Sequence, residues 1–496
     1  MIPGITLQEL NTEAEKYFTD ENMVVTVTGP EKEGITIPTE ADIKKVLAKY
    51  KSAKIDPYVD QLAGKKLIEK EPVAGKVVKT SFNKVFGTTE WVLSNGMKIV
   101  FRPSDIKEDE LLVTGFREGG MSLLKEENLP SAMLLGDAIS QMGVGGFSTT
   151  DLEKLMSGKR INLRISISEE RDIVSGRVSP KDLETALQLV YLYFTQPRWD
   201  ATDYKTWMEK MKANYINAES DPRKAFKDTV SLMMANHNSR VIPMSYKVLG
   251  KVSLEKLQII YKDRFSDPGN FTFEFAGKID PEKVKPLFEK YLASLPSVKR
   301  IQAYKDNGIR PPKGEVKRDF KHESTTPRTS VYVNYSGSSP YSADDRILGA
   351  ALRHVLELRY IESIREDEGG AYSIRVQYNL NKLPVPCFSM IVSFETDPVK
   401  ADKLIGIVYK EINKMLENGP SEADLQKAKE YFLKQRQEDM KENSWWLGRM
   451  DDYYFYNLDF LTGYDDKVNA LNVQSLHDYA KKVLTQGNLV QVVMRP

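Results

Sequence analysis

Val252-Ser253-Leu254-Glu255-Lys256-Leu257, running on through Tyr261 and Phe265 to Gly269-Asn270-Phe271-Thr272-Phe273, reads as an amphipathic helix, a polar turn and a short strand. The same order recurs near each end of the chain. One copy runs from Ile5-Thr6-Leu7-Gln8-Glu9-Leu10 through Tyr17-Phe18 to Asn22-Met23-Val24-Val25-Thr26-Val27. The other runs from Val473-Gln474-Ser475-Leu476-His477-Asp478 through Tyr479 and Val483 to Gly487-Asn488-Leu489-Val490-Gln491-Val492. Thr6, Ser253 and Ser475 stand where an N-cap hydroxyl would satisfy orphan backbone N–H groups. The copies begin about 247 and 221 residues apart (252 − 5 and 473 − 252), which is the size of a domain. A unit that closes two long segments and also opens the chain predicts that residues 1–28 are the last helix and strand of a preceding domain whose body is missing. Helix–strand pairs are also common, and three loose matches can arise by chance.

Working outward from these copies, residues 29–87 read as a linker, rich in Lys and carrying Pro38, Pro57 and Pro72. Two β-rich runs around Ser94-Asn95-Gly96 then give a strong hairpin signal. Residues 88–296 continue with a strand at Leu111–Phe116, helical patterns at Pro130–Met142 and Thr150–Ser157, and strands at Ile161–Ile167 and Asp172–Val178. A second linker, 297–317, holds Pro311-Pro312. Residues 318–496 repeat the plan: a strand at Val331–Tyr335, a long helix over Ser342–Glu366, strands at Tyr372–Leu380 and Cys387–Phe394, and helices at Pro398–Leu416 and Ser421–Met440. The predicted fold class is α+β, with two similar domains that each cover an antiparallel-rich sheet with helices.

Composition narrows the function. Lys+Arg is 71 against Asp+Glu 70 over 496 residues, so the basic excess expected of a nucleic-acid binder is missing. No run of roughly 18 apolar residues reads as a membrane span, and Met1–Thr6 lacks the pattern of a signal peptide. A single cysteine, Cys387, excludes an internal disulfide and a Cys-based zinc site. The four histidines, His237, His322, His354 and His477, leave little for a His-ligated metal. Gly143-Val144-Gly145-Gly146 lacks the Lys-Ser/Thr of a phosphate loop and reads as a helix-ending turn. Trp445-Trp446 and Tyr453–Tyr456 form an aromatic cluster, read as packing, with a peptide-binding wall as the sharper alternative.

Three stretches carry a resemblance to a known family. They are Trp91–Val100, an opening hairpin; Arg117-Glu118-Gly119-Gly120-Met121-Ser122, a turn after the third strand; and Ile364-Arg365-Glu366-Asp367-Glu368-Gly369-Gly370-Ala371-Tyr372-Ser373. The last resembles the REK-x-G-x-x-Y segment of the insulinase/pitrilysin zinc metallopeptidases, with Asp367 as a departure. Over nearly its whole length the chain looks like the C-terminal half of such an enzyme. The resemblance implies four similar domains in two halves that close over peptides, with zinc on an H-x-x-E-H helix of the N-terminal half. This chain has no H-x-x-E-H. The position where it would fall, Leu129–Asp137, offers no ligand pair, and His354-Val355-Leu356-Glu357-Leu358 has Leu in place of the second His. His354 reads as a structural helix residue.

The expectation is therefore no catalytic residue and no metal ligand in this chain. The partners implied are a complementary N-terminal half or subunit holding Zn and a peptide substrate, with no nucleic acid and no membrane. The resemblance assigns substrate binding to Arg365 and Tyr372, which match the family's Arg and Tyr seven residues apart (372 − 365). A guanidinium and a phenol are strong donors for a peptide carbonyl that gains negative charge. Read without the family, Arg365 would pair with Glu362 or Glu366 and Tyr372 would be a half-buried strand aromatic. The substrate is expected to add as a strand to a sheet edge. The alternative is a non-catalytic scaffold or peptide-binding subunit of the same fold. The compartment is left open by the residues, and a bacterial full-length relative would be periplasmic.

Overall fold

The computed structural model describes residues 4–17, 21–29, 36–54, 56, 60, 62, 64–323, 326–366, 368–369 and 374–496. It divides into two units, Met1–Ala63 and Gly64–Pro496. The first holds helices Leu7–Tyr17 and Glu40–Ser52. Thr6 and Thr39 cap them, each accepting from the backbone N–H three residues on, while Glu9 and Asp42 return the bond. The strand expected at Asn22–Val27 is not formed, and Val24 is 87% exposed. A strand needs a neighbour for its N–H and C=O groups, and no described residue of this unit provides one.

The second unit contains two sheets. The first has seven strands: β1 (Val77–Asn83), β2 (Thr88–Leu93), β3 (Lys98–Pro103), β4 (Leu111–Glu118), β5 (Ile161–Ile167), β6 (Arg171–Val178) and β7 (Thr272–Gly277), in the order β1-β2-β3-β7-β4-β6-β5. The second has five: β8 (Glu315–Lys321), β9 (Thr329–Ser338), β10 (Ile374–Asn381), β11 (Cys387–Thr396) and β12 (Asn488–Arg495), in the order β10-β11-β9-β12-β8. The second and third repeat copies deliver their closing strands to the same place. β7 runs parallel to β3 and antiparallel to β4, and β12 runs parallel to β8 and antiparallel to β9. All other pairings are antiparallel, so the class is α+β as expected.

Local chemistry explains where the elements depart from expectation. The 29–87 stretch is not linker throughout: β1 pairs with β2, and Ile68 is buried in the first core. The 297–317 stretch likewise ends in β8, and its middle is fastened down. Ser297 Oγ donates to Asp267 at 2.6 Å, and the N–H groups of Tyr304 and Lys305 donate to Glu118 and Ser122. The helix expected over Pro130–Met142 is two short ones, Leu129–Met133 and Leu135–Ser140. Gly136 lies so close to the carbonyl of Ile165 that a Cβ would fall 2.4 Å from the oxygen. Before the third copy, Asn472 rather than Ser475 is the N-cap, with Ser475 returning the bond as in a capping box.

Each sheet has apolar residues on both faces. On one face of the first, Trp91, Phe101 and Phe275 interlock with Phe288 of helix Pro281–Tyr291, edge-to-face and stacked, with centroids 4.5–5.9 Å apart. The opposite face presents Val100 and Ala276, and they are covered by Met450 and Leu447 of helix Asn443–Tyr454, which belongs to the second domain. The second sheet is covered reciprocally. Val490 and Val492 meet Met233, Phe226 and Val230 of helix Pro222–Met234 from the first domain.

Polar contacts line this exchange. Arg171 pairs with both carboxylate oxygens of Asp451, its guanidinium 4.5 Å from the Phe455 ring. Arg102 lies 3.4 Å over Trp446, and Tyr456 Oη donates to Glu170 at 2.7 Å. Glu274, on β7 beneath the same helix, is fully buried with neither carboxylate oxygen hydrogen-bonded to a described residue.

Replacing Asp451 by Ala leaves the Arg171 guanidinium without its partner in a mostly desolvated seam. The expected loss is roughly 1–3 kcal/mol, between the values for exposed and buried pairs, measured by urea unfolding. Burial first, then Asp451, holds the Glu274 carboxyl well above its usual 4.5. The folded chain therefore keeps a proton that the unfolded chain releases, so this contribution is full below about 4.5 and falls as pH rises toward the folded value. Glu274→Gln should accordingly raise the melting temperature, by more at about pH 8 than at about pH 5.5.

Candidate functional site

Helix Ala343–Tyr360 starts at Ser342, whose hydroxyl accepts from the Asp345 N–H at 3.1 Å. Ile347, Ala351, Leu352, Val355 and Leu356 recur at helical spacing and are buried in the second core. The far end of this helix is pinned from several sides. Tyr360, fully buried, donates its hydroxyl to the carbonyl of Val408 at 3.1 Å. Arg359 donates to the carbonyl of Gly419 at 2.9 Å and lies 3.8 Å from Asp424. Ser363 Oγ donates to the Arg359 carbonyl at 2.8 Å.

The long helix expected over Ser342–Glu366 therefore changes character: its last six residues, Ile361–Glu366, form a π-helical turn. Such widened turns re-aim side chains and are frequent at functional sites. Here Ile364 is buried in the second core and the next residue, Arg365, is exposed. The Arg365 side chain forms no ion pair with Glu362 or Glu366, and no hydrogen bond to any described residue. The turn beyond it is held by the neighbouring helix. Lys400 Nζ donates to the Glu368 carbonyl at 3.0 Å, and Lys403 pairs with the Glu368 carboxylate at 2.6 Å. Gly369 takes φ +50°, a conformation that favours glycine. Tyr372 lies outside the described residues, with Asp367, Gly370, Ala371 and Ser373. β10 then begins at Ile374 and forms an edge of its sheet.

The other residues weighed for chemistry have structural surroundings. His354 stacks on Tyr431, centroids 4.6 Å apart, and burial, followed by the nearby Arg353, holds its imidazole below the usual range. Along Leu129–Asp137 the one carboxylate, Asp137, accepts from Trp207 Nε1 at 2.7 Å, while Leu129, Ala132 and Leu135 are buried. These residues do not fit a zinc ion, which needs several N, S or O donors converging on one point. Among the described residues no group of three His, Cys, Asp or Glu side chains is placed to hold a metal.

The aromatic cluster packs in the seam between the domains. Tyr453 lies 4.6 Å from the Phe86 ring, Phe455 lies 5.2 Å from Phe116, and Tyr454 Oη donates to Glu90 at 2.6 Å. The residues that sequence reasoning missed are the partners across this seam, Arg171, Asp451 and Glu274. The one signal for Glu274 was its place in Phe271-Thr272-Phe273-Glu274-Phe275, a carboxylate within an aromatic run.

Residues 251–432 match the family model described as Peptidase M16 inactive domain. A zinc protease PQQL-like protein of Arabidopsis thaliana is 23% identical over 503 residues, covering 99% of this chain and 49% of its own length. The chain thus spans about half of that relative. Among solved structures, the periplasmic protease PqqL from Escherichia coli superposes with a TM-score of 0.77 at 17% identity, over 92% of this chain and 51% of that one. The ferredoxin protease FusC, solved as a mutant in complex with Arabidopsis ferredoxin, gives a TM-score of 0.73 at 17% identity, over 93% and 51%. The family model and the two-sheet architecture agree: residues 251–432 are similar to the domain described as the M16 peptidases' inactive one, and the fold of the chain is that of the M16-like structures it superposes on.

Proposed function

We propose that this chain is the non-zinc-binding, C-terminal half of a zinc metalloendopeptidase, forming one wall of the substrate chamber and gripping the scissile peptide through Arg365 and Tyr372. The observation that carries this reading is the state of Arg365: exposed, without an acidic partner among the described residues, and set on a turn pinned by Tyr360, Arg359, Lys400 and Lys403. A guanidinium without an acidic partner gives up no ion pair when it meets a carbonyl, and the pinned turn fixes where it starts. Its planar N–H groups can hold the oxygen of the scissile amide and strengthen their hold as negative charge develops there. The Tyr372 phenol supplies a second donor. β10, an open sheet edge entered from the same turn, suits an extended peptide that adds as a strand.

Zinc, which activates water in enzymes of this kind, is assigned to the complementary N-terminal half, because the donors along Leu129–Asp137 do not fit it. That half, on the same or another polypeptide, is the partner. Peptides or segments of small proteins are the substrate class, in keeping with the ferredoxin bound to FusC. A periplasmic location follows for a bacterial chain, by analogy with the Escherichia coli protease.

With the catalytic half supplied, Arg365→Ala should lower kcat by about 10²–10³ with a smaller change in KM, as for loss of one oxyanion donor. Tyr372→Phe should show the same signature. Unchanged turnover in both would leave the scaffold reading. The chain by itself should hydrolyse no peptide, which a fluorogenic assay on metal-replete protein checks.

A further inference from the structure

A cavity of about 810 Å³ opens in the first domain beside helix Pro222–Met234, with walls that include Met121, Met133, Tyr215, Ile242, Met244 and Ile309. Its size and largely apolar lining are those of a ligand site rather than a packing defect, and methionines adapt to ligands of varied shape. Met133 is 42% exposed at the mouth. One side of the rim has a cationic excess, Arg223, Lys224 and Lys227 against Asp221 and Asp228. Arg223 and Lys227 stand one helical turn apart and exposed, and neither forms an ion pair with a described residue. Lys224, on the same helix, differs in being paired with Asp228.

The inner wall carries a polar pair. Arg240 has a side chain 8% exposed and donates to the carbonyls of Leu124 at 2.9 Å and Met121 at 2.6 Å, which fixes its position. Its Nε lacks a hydrogen-bond partner among the described residues, and so does Glu169 Oε1, 3.9 Å away. The inner wall of the cavity thus carries, 3.9 Å apart, one donor and one acceptor that no described residue satisfies by a hydrogen bond. A peptide unit carries one C=O and one N–H and answers both; an acyl chain answers neither.

We infer that this cavity is a second, non-catalytic docking pocket for peptide, taking an apolar side chain whose sequence neighbours are acidic. The apolar side chain fills the space among the methionines, and the neighbouring carboxylates meet Arg223 and Lys227. The inference rests on the reading of the chain as a peptide-binding half, and it adds a site in the other domain from Arg365 with its own selectivity.

The test is fluorescence anisotropy on this chain alone, without the catalytic half. The probe is a fluorescein-labelled acidic decapeptide with a central Leu-Phe pair; it is compared with an Ala-Ala version and with a version carrying Lys for each acidic residue. The acidic Leu-Phe peptide should bind at least about tenfold more tightly than either. Met133→Glu and Met244→Glu should each weaken it about tenfold or more, and the double variant Arg223→Glu/Lys227→Glu should reverse the charge preference. The surface positions of Arg223 and Lys227 keep that variant folded, checked by circular dichroism. Wild-type affinity in all of these variants, an absence of binding at about 1 mM peptide, or tighter binding of dodecanoate than of peptide would overturn the proposal. Turnover of the reconstituted enzyme reads Arg365 and anisotropy reads the pocket, so either reading can fail while the other stands.

Discussion

Each sheet in this protein has two apolar faces and only one set of its own helices to cover them. The reciprocal loan of helices Pro222–Met234 and Asn443–Tyr454 resolves this, because each domain supplies the cover for the other's outer face. Exposing Val100, Ala276, Val490 and Val492 to water would be unfavourable by roughly 25 cal/mol per Å² of apolar surface. That cost ties the two domains together. The loaned helices occupy matching positions in the two repeats, following the two helices that come after the sheet hairpin, so the exchange has approximate two-fold character.

Polar groups at the seam then set its geometry. Arg171 fixes the helix bearing Asp451 over β4 and β6 with paired hydrogen bonds and flanking aromatic rings, and Arg102 adds a cation–π contact over Trp446. Glu274 beneath that helix runs the other way, since a carboxyl without a partner is better neutral in such a place. A seam of this kind holds the second sheet, and with it the helix ending at Arg365, in a defined attitude to the first domain. The grip on Arg365 is local, through Tyr360, Arg359 and Lys400, and the position of that whole assembly is inherited from the exchanged helices.

The repeat was legible because a helix followed by a strand writes its period directly into the chain, and a capping residue marks where it begins. The Asn95-Gly96 hairpin was legible for the same local reason. β1 was not: Val77–Asn83 lies in polar, Lys-rich sequence and becomes a strand through its pairing with β2 alone. Nor was the break at Leu134 visible in a pattern that reads as one helix, since its context is the close approach of Gly136 to the Ile165 carbonyl. At the candidate site, Arg365 was found through its motif, whereas its freedom from Glu362 and Glu366 emerged only in three dimensions.

Periodicity, turn residues and a short motif in the chain thus determined that two alike α+β domains exist, where their strands close, and which arginine to examine. They act over a few residues, and neighbours along the chain are enough to express them. Tertiary structure alone decided which helix covers which sheet, that Arg171 meets Asp451 across 280 positions, and that the turn at Ile361–Glu366 widens so that Ile364 is buried while Arg365 faces solvent. Those outcomes depend on surfaces that meet only after both domains have formed, and no local pattern records them.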